Sequence, residues 1–151
     1  MSVNIHATCI RVGRAGRVLG APANAGVLIL GKSGAGKSDL ALRLIALGAT
    51  LVADDRTDLA VSRGRLVASA PKTIAGLLEV HGVGIAKMPH SPRAPISLVV
   101  ELTRKVARLP EREAWAPPSP LRLARPLPLV RLNPFEASAP EKLLLAVREY
   151  S

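Results

Sequence analysis

A glycine-rich segment has the composition and spacing of a site for phosphate groups. Residues 31–38 match the pattern G-x-x-x-x-G-K-[ST] at each fixed position. Glycines let the backbone turn sharply and point successive N–H groups at an anion that a side chain would block. Lys37 adds a positive charge, and the hydroxyl of Ser38 is a suitable magnesium ligand. We call this segment the glycine loop; its members are Gly31, Lys32, Ser33, Gly34, Ala35, Gly36, Lys37 and Ser38.

The residues on either side of the glycine loop predict a strand before it and a helix after it. The aliphatic run at 25–31 is typical of a buried strand. Leu40, Leu44 and Leu47 recur at helical spacing, and Gly48 is a suitable end for that helix. The helix would direct the positive end of its dipole at the same anion. Because the motif requires this context, the sequence predicts a site for nucleotide phosphates.

Two adjacent aspartates, Asp54 and Asp55, follow the next predicted strand at 50–53. A carboxylate at the end of such a strand can hold magnesium. Its neighbour, directed elsewhere by the backbone, can accept a proton from an attacking hydroxyl group. Glu79 lies among apolar residues and glycines, where a buried carboxylate is costly unless it is paired or bound to metal. From the residues alone, Glu79 could equally face solvent from an alternating strand.

The remaining chain predicts further strands and one final helix, so the fold class is α/β with a mixed sheet in a single domain, 1–151. Residues 108–134 are rich in proline and are predicted to be extended and irregular. The other predictions are a strand at 3–10, a loop or hairpin at 11–24, a hairpin of 58–64 and 65–70 turning at Arg63-Gly64, a strand at 96–102 and a helix at 141–150.

Composition narrows the class of protein further. The chain has 151 residues, 48% hydrophobic, and a formal net charge of +10 that would attract phosphorylated partners. Its three aromatic residues offer few rings for stacking bases, and its basic residues are dispersed, so we do not expect nucleic acid to be the main ligand. A single cysteine excludes an internal disulfide framework. No long apolar run or secretory leader is visible, so we expect a cytoplasmic protein with no membrane contact.

In combination, the glycine loop, LVADD at 51–55 and Glu-x-x-Gly-x-Gly-Ile at 79–85 resemble HPr kinase/phosphorylase. More narrowly, the chain looks like the short α-proteobacterial form that lacks the N-terminal domain of longer enzymes. This resemblance implies a P-loop domain with an HPr kinase/PEP carboxykinase-like fold. It also implies ATP as phosphoryl donor, Mg²⁺ as cofactor and a serine of the phosphocarrier HPr as acceptor, with reverse phosphorolysis in many members. The family tends towards hexamers, so a homo-oligomer is expected.

The resemblance also implies roles for individual residues. Asp54 would be the general base for the seryl hydroxyl, and His6 would interact with that aspartate. Arg108 would contact phosphate, and Lys37 would do so within the glycine loop. The metal ligands of the family would fall on Ser38, Asp55 and Glu79.

The chain departs from the family pattern at three places, one of which is that the C-terminal Gly-Arg-Asn segment of long forms has no clear counterpart in residues 126–136. His81 stands where the family signature has arginine, and it offers fewer donors and is mostly neutral at pH 7, which predicts a slower enzyme. Lys32 stands where longer members commonly carry an acidic residue. The alternatives are a small-molecule kinase, with the arginines of 108–134 in a lid, and a nucleotide-binding regulator that no longer catalyses. A GTPase is disfavoured because no N-K-x-D motif occurs.

Overall fold

The computed structural model describes residues 1–151, which form eleven strands and two α-helices. Neither helix is long and apolar enough to cross a membrane. The helices are α1 (Lys37–Ala46) and α2 (Ala139–Tyr150). The strands are β1 (Val3–His6), β2 (Thr8–Arg11), β3 (Gly26–Leu30), β4 (Thr50–Ala53), β5 (Arg56–Ser62), β6 (Arg65–Ser69), β7 (Leu77–Val80), β8 (Gly84–Lys87), β9 (Arg93–Leu102), β10 (Glu113–Trp115) and β11 (Leu127–Leu132).

Nine strands form one mixed sheet, and β7 and β8 form a separate antiparallel hairpin. The main order is β1-β5-β6-β9-β3-β2-β4, with β11 beside β9 and β10 beside β11. The long strand β9 joins two regions of the sheet. Its first residues pair antiparallel with β6, and its later residues pair parallel with both β3 and β11.

Strand β3, which leads into the glycine loop, is held from both faces of the sheet. Val27 and Ile29 pack in the core that includes α1 and α2, whereas Leu28 packs in the core on the opposite face. Burying one such aliphatic side chain stabilises the fold by about 1.5–3 kcal/mol. The two cores therefore fix the strand that positions the loop.

Five strands have one end at the edge of the sheet where the glycine loop lies. Strands β3, β4, β9 and β11 run in the same direction, because β3 and β11 are parallel to β9 and β2 is antiparallel to both β3 and β4. We call this the loop edge of the sheet. Strand β2 begins there, at Thr8, and the other four end there, so the residues after them are Gly31, Asp54, Thr103 and Asn133.

The fold differs from the sequence-based prediction in three segments. The strand predicted at 3–10 breaks at Ala7 into β1, which pairs with β5, and β2, which pairs with β3 and β4. Strand β9 begins at Arg93, three residues before the strand predicted at 96–102, and it continues through Pro95. Residues 108–134 are not wholly irregular, since they contain both β10 and β11. The predicted hairpin turn at 63–64 and both helices are confirmed.

Candidate functional site

The glycine loop has the backbone geometry of an anion site. Gly34 and Gly36 have φ of 81° and 102°, in the left-handed region that side chains disfavour. Helix α1 begins at Lys37, and no carbonyl or side chain accepts from the backbone N–H groups of Gly36, Lys37 or Ser38. These unpaired donors at a helix N-terminus can bind phosphate oxygens, with support from the helix dipole.

The ammonium group of Lys37 lies inside the curve of the loop. The side chain is buried, with 6% of the residue exposed, and its Nζ donates to the carbonyl oxygens of Gly31 at 2.7 Å and Lys32 at 3.0 Å. Burial lowers the pKa of Lys37 below its ordinary value, while the nearby carboxylates of Asp55 and Asp54 act in the opposite direction. A phosphate group in the loop would compensate the buried charge.

Asp54 is the buried member of the acidic pair, with 7% of the residue exposed. Its Oδ1 accepts from Ser38 Oγ at 2.6 Å and from Thr8 Oγ1 at 3.0 Å, and its Oδ2 accepts from the backbone N–H of Glu79 at 3.2 Å. These bonds fix the carboxylate beside the hydroxyl of Ser38. Magnesium at phosphoryl-transfer sites is held by one or two protein oxygens together with substrate phosphates. Ser38 and Asp54 are suited to that role.

Asp55 points to a different environment. Its φ of 65° turns the chain between β4 and β5, and 65% of its side chain is exposed. Oδ1 lies 2.7 Å from Nε2 of His6, whose side chain is 34% exposed. His6 thus contacts Asp55, and not Asp54 as expected from the resemblance. An accessible carboxylate oriented by a histidine is suited to accept a proton.

The other predicted site residues are less closely associated with this cluster. Glu79 contributes its backbone N–H to Asp54, but its side chain is exposed. No three residues of the types His, Cys, Asp and Glu are grouped as metal ligands. Arg108 is exposed in the segment after β9, and its side chain makes no hydrogen bond or ion pair there. His81 is exposed in the turn of the β7–β8 hairpin.

Thr8 belongs to the site although sequence reasoning did not single it out. The residue is fully buried, its Oγ1 donates to Asp54, and the same atom accepts from the backbone N–H of Asp55 at 3.2 Å. It thereby holds both aspartates in place. The one available signal was a hydroxyl residue directly before the apolar pair Cys9 and Ile10, since β2 lies between β3 and β4 only in three dimensions.

Replacing Thr8 by valine is expected to destabilise the protein by about 1.5–3 kcal/mol, the range for a hydrogen bond to a charged group. Thr57 is the matched control, because it is also fully buried and its Oγ1 donates to a neutral acceptor, the Ala7 carbonyl, at 2.8 Å. Thr57→Val should cost about 0.5–1.5 kcal/mol. Urea unfolding at neutral pH measures both values, and equal losses would show that Thr8 does not support a charged Asp54.

The sequence of this chain matches a known family over most of its length. Residues 11–109 match the family described as HPr Serine kinase C-terminal domain. The matched range contains the glycine loop, Asp54, Asp55 and Glu79, and it begins after His6 and Thr8.

Two curated relatives are HPr kinase/phosphorylase proteins. The one from Clostridium tetani (strain Massachusetts / E88) is 50% identical over 64 residues, which are 42% of this chain and 21% of that protein. The one from Geobacillus thermodenitrificans (strain NG80-2) is 45% identical over 85 residues, or 51% of this chain and 28% of that protein. The match therefore spans less than a third of either relative.

A solved structure shares the fold over nearly the whole chain. It is described as the Hpr(Ser) kinase/phosphatase from Coxiella burnetii, with a TM-score of 0.77 and 23% sequence identity. The superposition covers 97% of this chain and 94% of that chain. It confirms the predicted α/β fold with a mixed sheet, and the sheet is curled.

Proposed function

Because this chain belongs to the HPr Serine kinase C-terminal domain family, we propose that it is an ATP- and Mg²⁺-dependent kinase acting on a serine of an HPr-like phosphocarrier. That phosphocarrier would belong to the phosphotransferase system. The proposal includes the reverse reaction, in which an oxygen of inorganic phosphate bonds to the phosphorus of the phosphoserine, the bond from that phosphorus to the seryl oxygen breaks, and pyrophosphate and the free serine are released. The observation that supports it best is the grouping of Lys37, Ser38, Asp54, Asp55 and His6 at the loop edge.

In the proposed mechanism, the glycine loop binds and orients the phosphates of ATP. The free N–H groups at the start of α1 would donate to phosphate oxygens, and Lys37 would leave its loop carbonyls to contact the terminal phosphates. Ser38 and Asp54 would hold Mg²⁺, which when bound neutralises charge on the transferring phosphate. Because Asp54 is already fixed by Thr8 and by the Glu79 N–H, little reorganisation is needed.

Asp55 would act as the general base on the serine of the partner protein. Its carboxylate takes the seryl proton while the seryl oxygen forms a bond to the terminal phosphorus and the bond to the ADP oxygen breaks. His6 would act as a positioning residue, because its Nε2 contact fixes the carboxylate of Asp55. The exposure of Asp55 gives a protein substrate access to it.

The test of the proposed function is incubation of the purified protein with Mg²⁺, ATP and HPr. We expect phosphoserine on HPr, located by mass spectrometry, and its loss when inorganic phosphate drives the reaction backward. A panel of small hydroxylated metabolites is the control for a small-molecule kinase. Phosphate on a metabolite with none on HPr would contradict the proposal.

A nucleotide-binding regulator is the second candidate, and one observation favours it. The signature position of the family is occupied by His81, which is exposed and lacks the forked donors of arginine. A regulator would bind a partner protein only with ATP present and would form no product in the same assay.

A homo-oligomer, hexameric by the resemblance, is part of the main proposal, and light scattering measures the number of subunits.

A further inference from the structure

The flank of the glycine loop opposite the aspartates is formed by segments that leave β9 and β11. At the loop edge the strands lie in the order β4-β2-β3-β9-β11. Asp54 and Asp55 follow β4, on one side of the loop that follows β3. A triphosphate whose terminal group faces those carboxylates must extend its nucleoside away from them. The segments after β9 and β11 lie on that opposite side.

The guanidinium group of Arg104 lies over the aromatic ring of Phe135 at this flank. Arg104 lies just after β9 and Phe135 just after β11, and the guanidinium carbon lies 5.3 Å from the centroid of the ring. Phe135 is the single phenylalanine of the chain, and 63% of it is exposed. An isolated exposed apolar residue needs no explanation. Phe135 has an additional feature, because the segment that carries it contacts the glycine loop and is hydrogen-bonded to α1.

Pro134 joins the aromatic ring to the loop itself. Its Cγ lies 3.3 Å from the position that a Cβ on Gly36 would occupy. Arg43, from α1, donates to the carbonyl oxygen of Pro134 at 2.6 Å and to those of Glu136 and Ala137 at 2.9 and 3.2 Å. The helix that begins with Lys37 and Ser38 therefore also anchors the segment that presents the ring.

Asn133 forms hydrogen bonds with the backbone of both Arg104 and Phe135. Its Nδ2 donates to the Arg104 carbonyl at 3.3 Å, and its Oδ1 accepts from the Phe135 N–H at 2.9 Å. The ring and the guanidinium group thus lie on a scaffold that is hydrogen-bonded on both sides. Such preorganisation reduces the ordering cost when a ligand binds.

We propose that Arg104 and Phe135 form a platform that stacks the base of the nucleotide whose phosphates the glycine loop binds. This inference rests on the proposed function, because it requires that ATP binds the loop. Aromatic rings and guanidinium planes stack on the faces of nucleobases, and such stacking is tolerant of base identity. The amide of Asn133 is engaged with the backbone on both sides. The platform should therefore bind adenine and guanine nucleotides with similar affinity.

The test compares a nucleotide with its phosphates alone. Calorimetry with Mg²⁺ measures the affinities for ATP, GTP and inorganic tripolyphosphate in the wild type and in Phe135→Ala. We expect Phe135→Ala to weaken ATP and GTP by roughly 5- to 150-fold, which corresponds to the loss of one stacked base. Tripolyphosphate has no base, so its affinity should change by less than about twofold.

Two further variants serve as controls. Phe135→Tyr keeps the ring and should retain nucleotide affinity. Val18 is 94% exposed on the loop between β2 and β3, so Val18→Ala removes an exposed apolar side chain away from the loop edge and should change nothing.

Three results would overturn the platform. Unchanged ATP affinity in Phe135→Ala would reject it while leaving the proposed function intact, and reduced binding of HPr in that variant would then indicate a protein contact. Equal weakening of ATP and tripolyphosphate would show that Phe135 only shapes the loop. A wild type that binds neither ligand would overturn the platform together with the proposed function.

Discussion

Replacing Asp55 by asparagine is expected to reduce phosphoryl transfer to HPr by roughly 10²- to 10⁴-fold, the usual contribution of a general base. Binding of Mg²⁺ and ATP should be retained, because Asp54, and not Asp55, contacts Ser38. Asparagine also tolerates the φ of 65° at this position, so the turn should keep its shape. Transfer is measured with radiolabelled ATP, and binding is measured by calorimetry.

Asp54→Asn distinguishes this assignment from the one predicted by resemblance. If Asp54 helps to hold the metal, Asp54→Asn weakens ATP binding in the presence of Mg²⁺ and has much less effect without it. Asp58→Asn on β5 is the control that should change neither ATP binding nor transfer, because Asp58 Oδ1 accepts only from the exposed side chain of Asn4. Full transfer by Asp55→Asn, together with intact binding but no transfer by Asp54→Asn, would restore Asp54 as the base.

Lys37→Ala is expected to weaken ATP binding by roughly 10- to 150-fold, which corresponds to the loss of one hydrogen bond to a charged group. Transfer should fall further, since negative charge develops on the leaving oxygen of ADP in the transition state and a positioned ammonium group stabilises it there. Both losses are expected because Nζ of Lys37 lies within the curve of the glycine loop, where it contacts the Gly31 and Lys32 carbonyls. Calorimetry and the transfer assay measure the two effects.

Lys32→Ala provides the matched control for Lys37. It removes the same charge from the same loop, but the Lys32 side chain is exposed. We expect a change in ATP affinity of no more than about threefold, which is typical of a screened surface charge. A larger loss in Lys32→Ala than in Lys37→Ala would show that the loop attracts phosphates by its general charge and not by a positioned ammonium group.

The parts of the fold that sequence patterns predicted correctly are those with local causes. Strand β3 follows from a short aliphatic run, α1 from leucines at helical spacing, and the turn at 63–64 from its glycine. Each signal lies within a few residues of the structure that it specifies. The glycine loop was found in the same way, because its motif is continuous in the chain.

The missed features depend on residues far apart in the chain. The prolines of 108–134, with Pro128 inside β11, predict an irregular segment and mask a strand that pairs in parallel with β9, about thirty residues earlier. The break at Ala7 arises because β1 and β2 find different partners. The function of Thr8 depends on a contact with Asp54, which lies 46 positions later. No local pattern specifies such pairings.

The sequence by itself determined which chemical groups are present: a glycine loop that ends in Lys37 and Ser38, two adjacent carboxylates, and a chain basic enough to attract phosphates. Only the tertiary structure distinguished the two aspartates, burying Asp54 against Ser38 and exposing Asp55 beside His6. It also placed Arg104 over the ring of Phe135, in the segment whose Pro134 contacts the loop at Gly36. The physical reason is that adjacent residues of one type differ only in backbone direction and neighbours, and long-range strand pairing decides both.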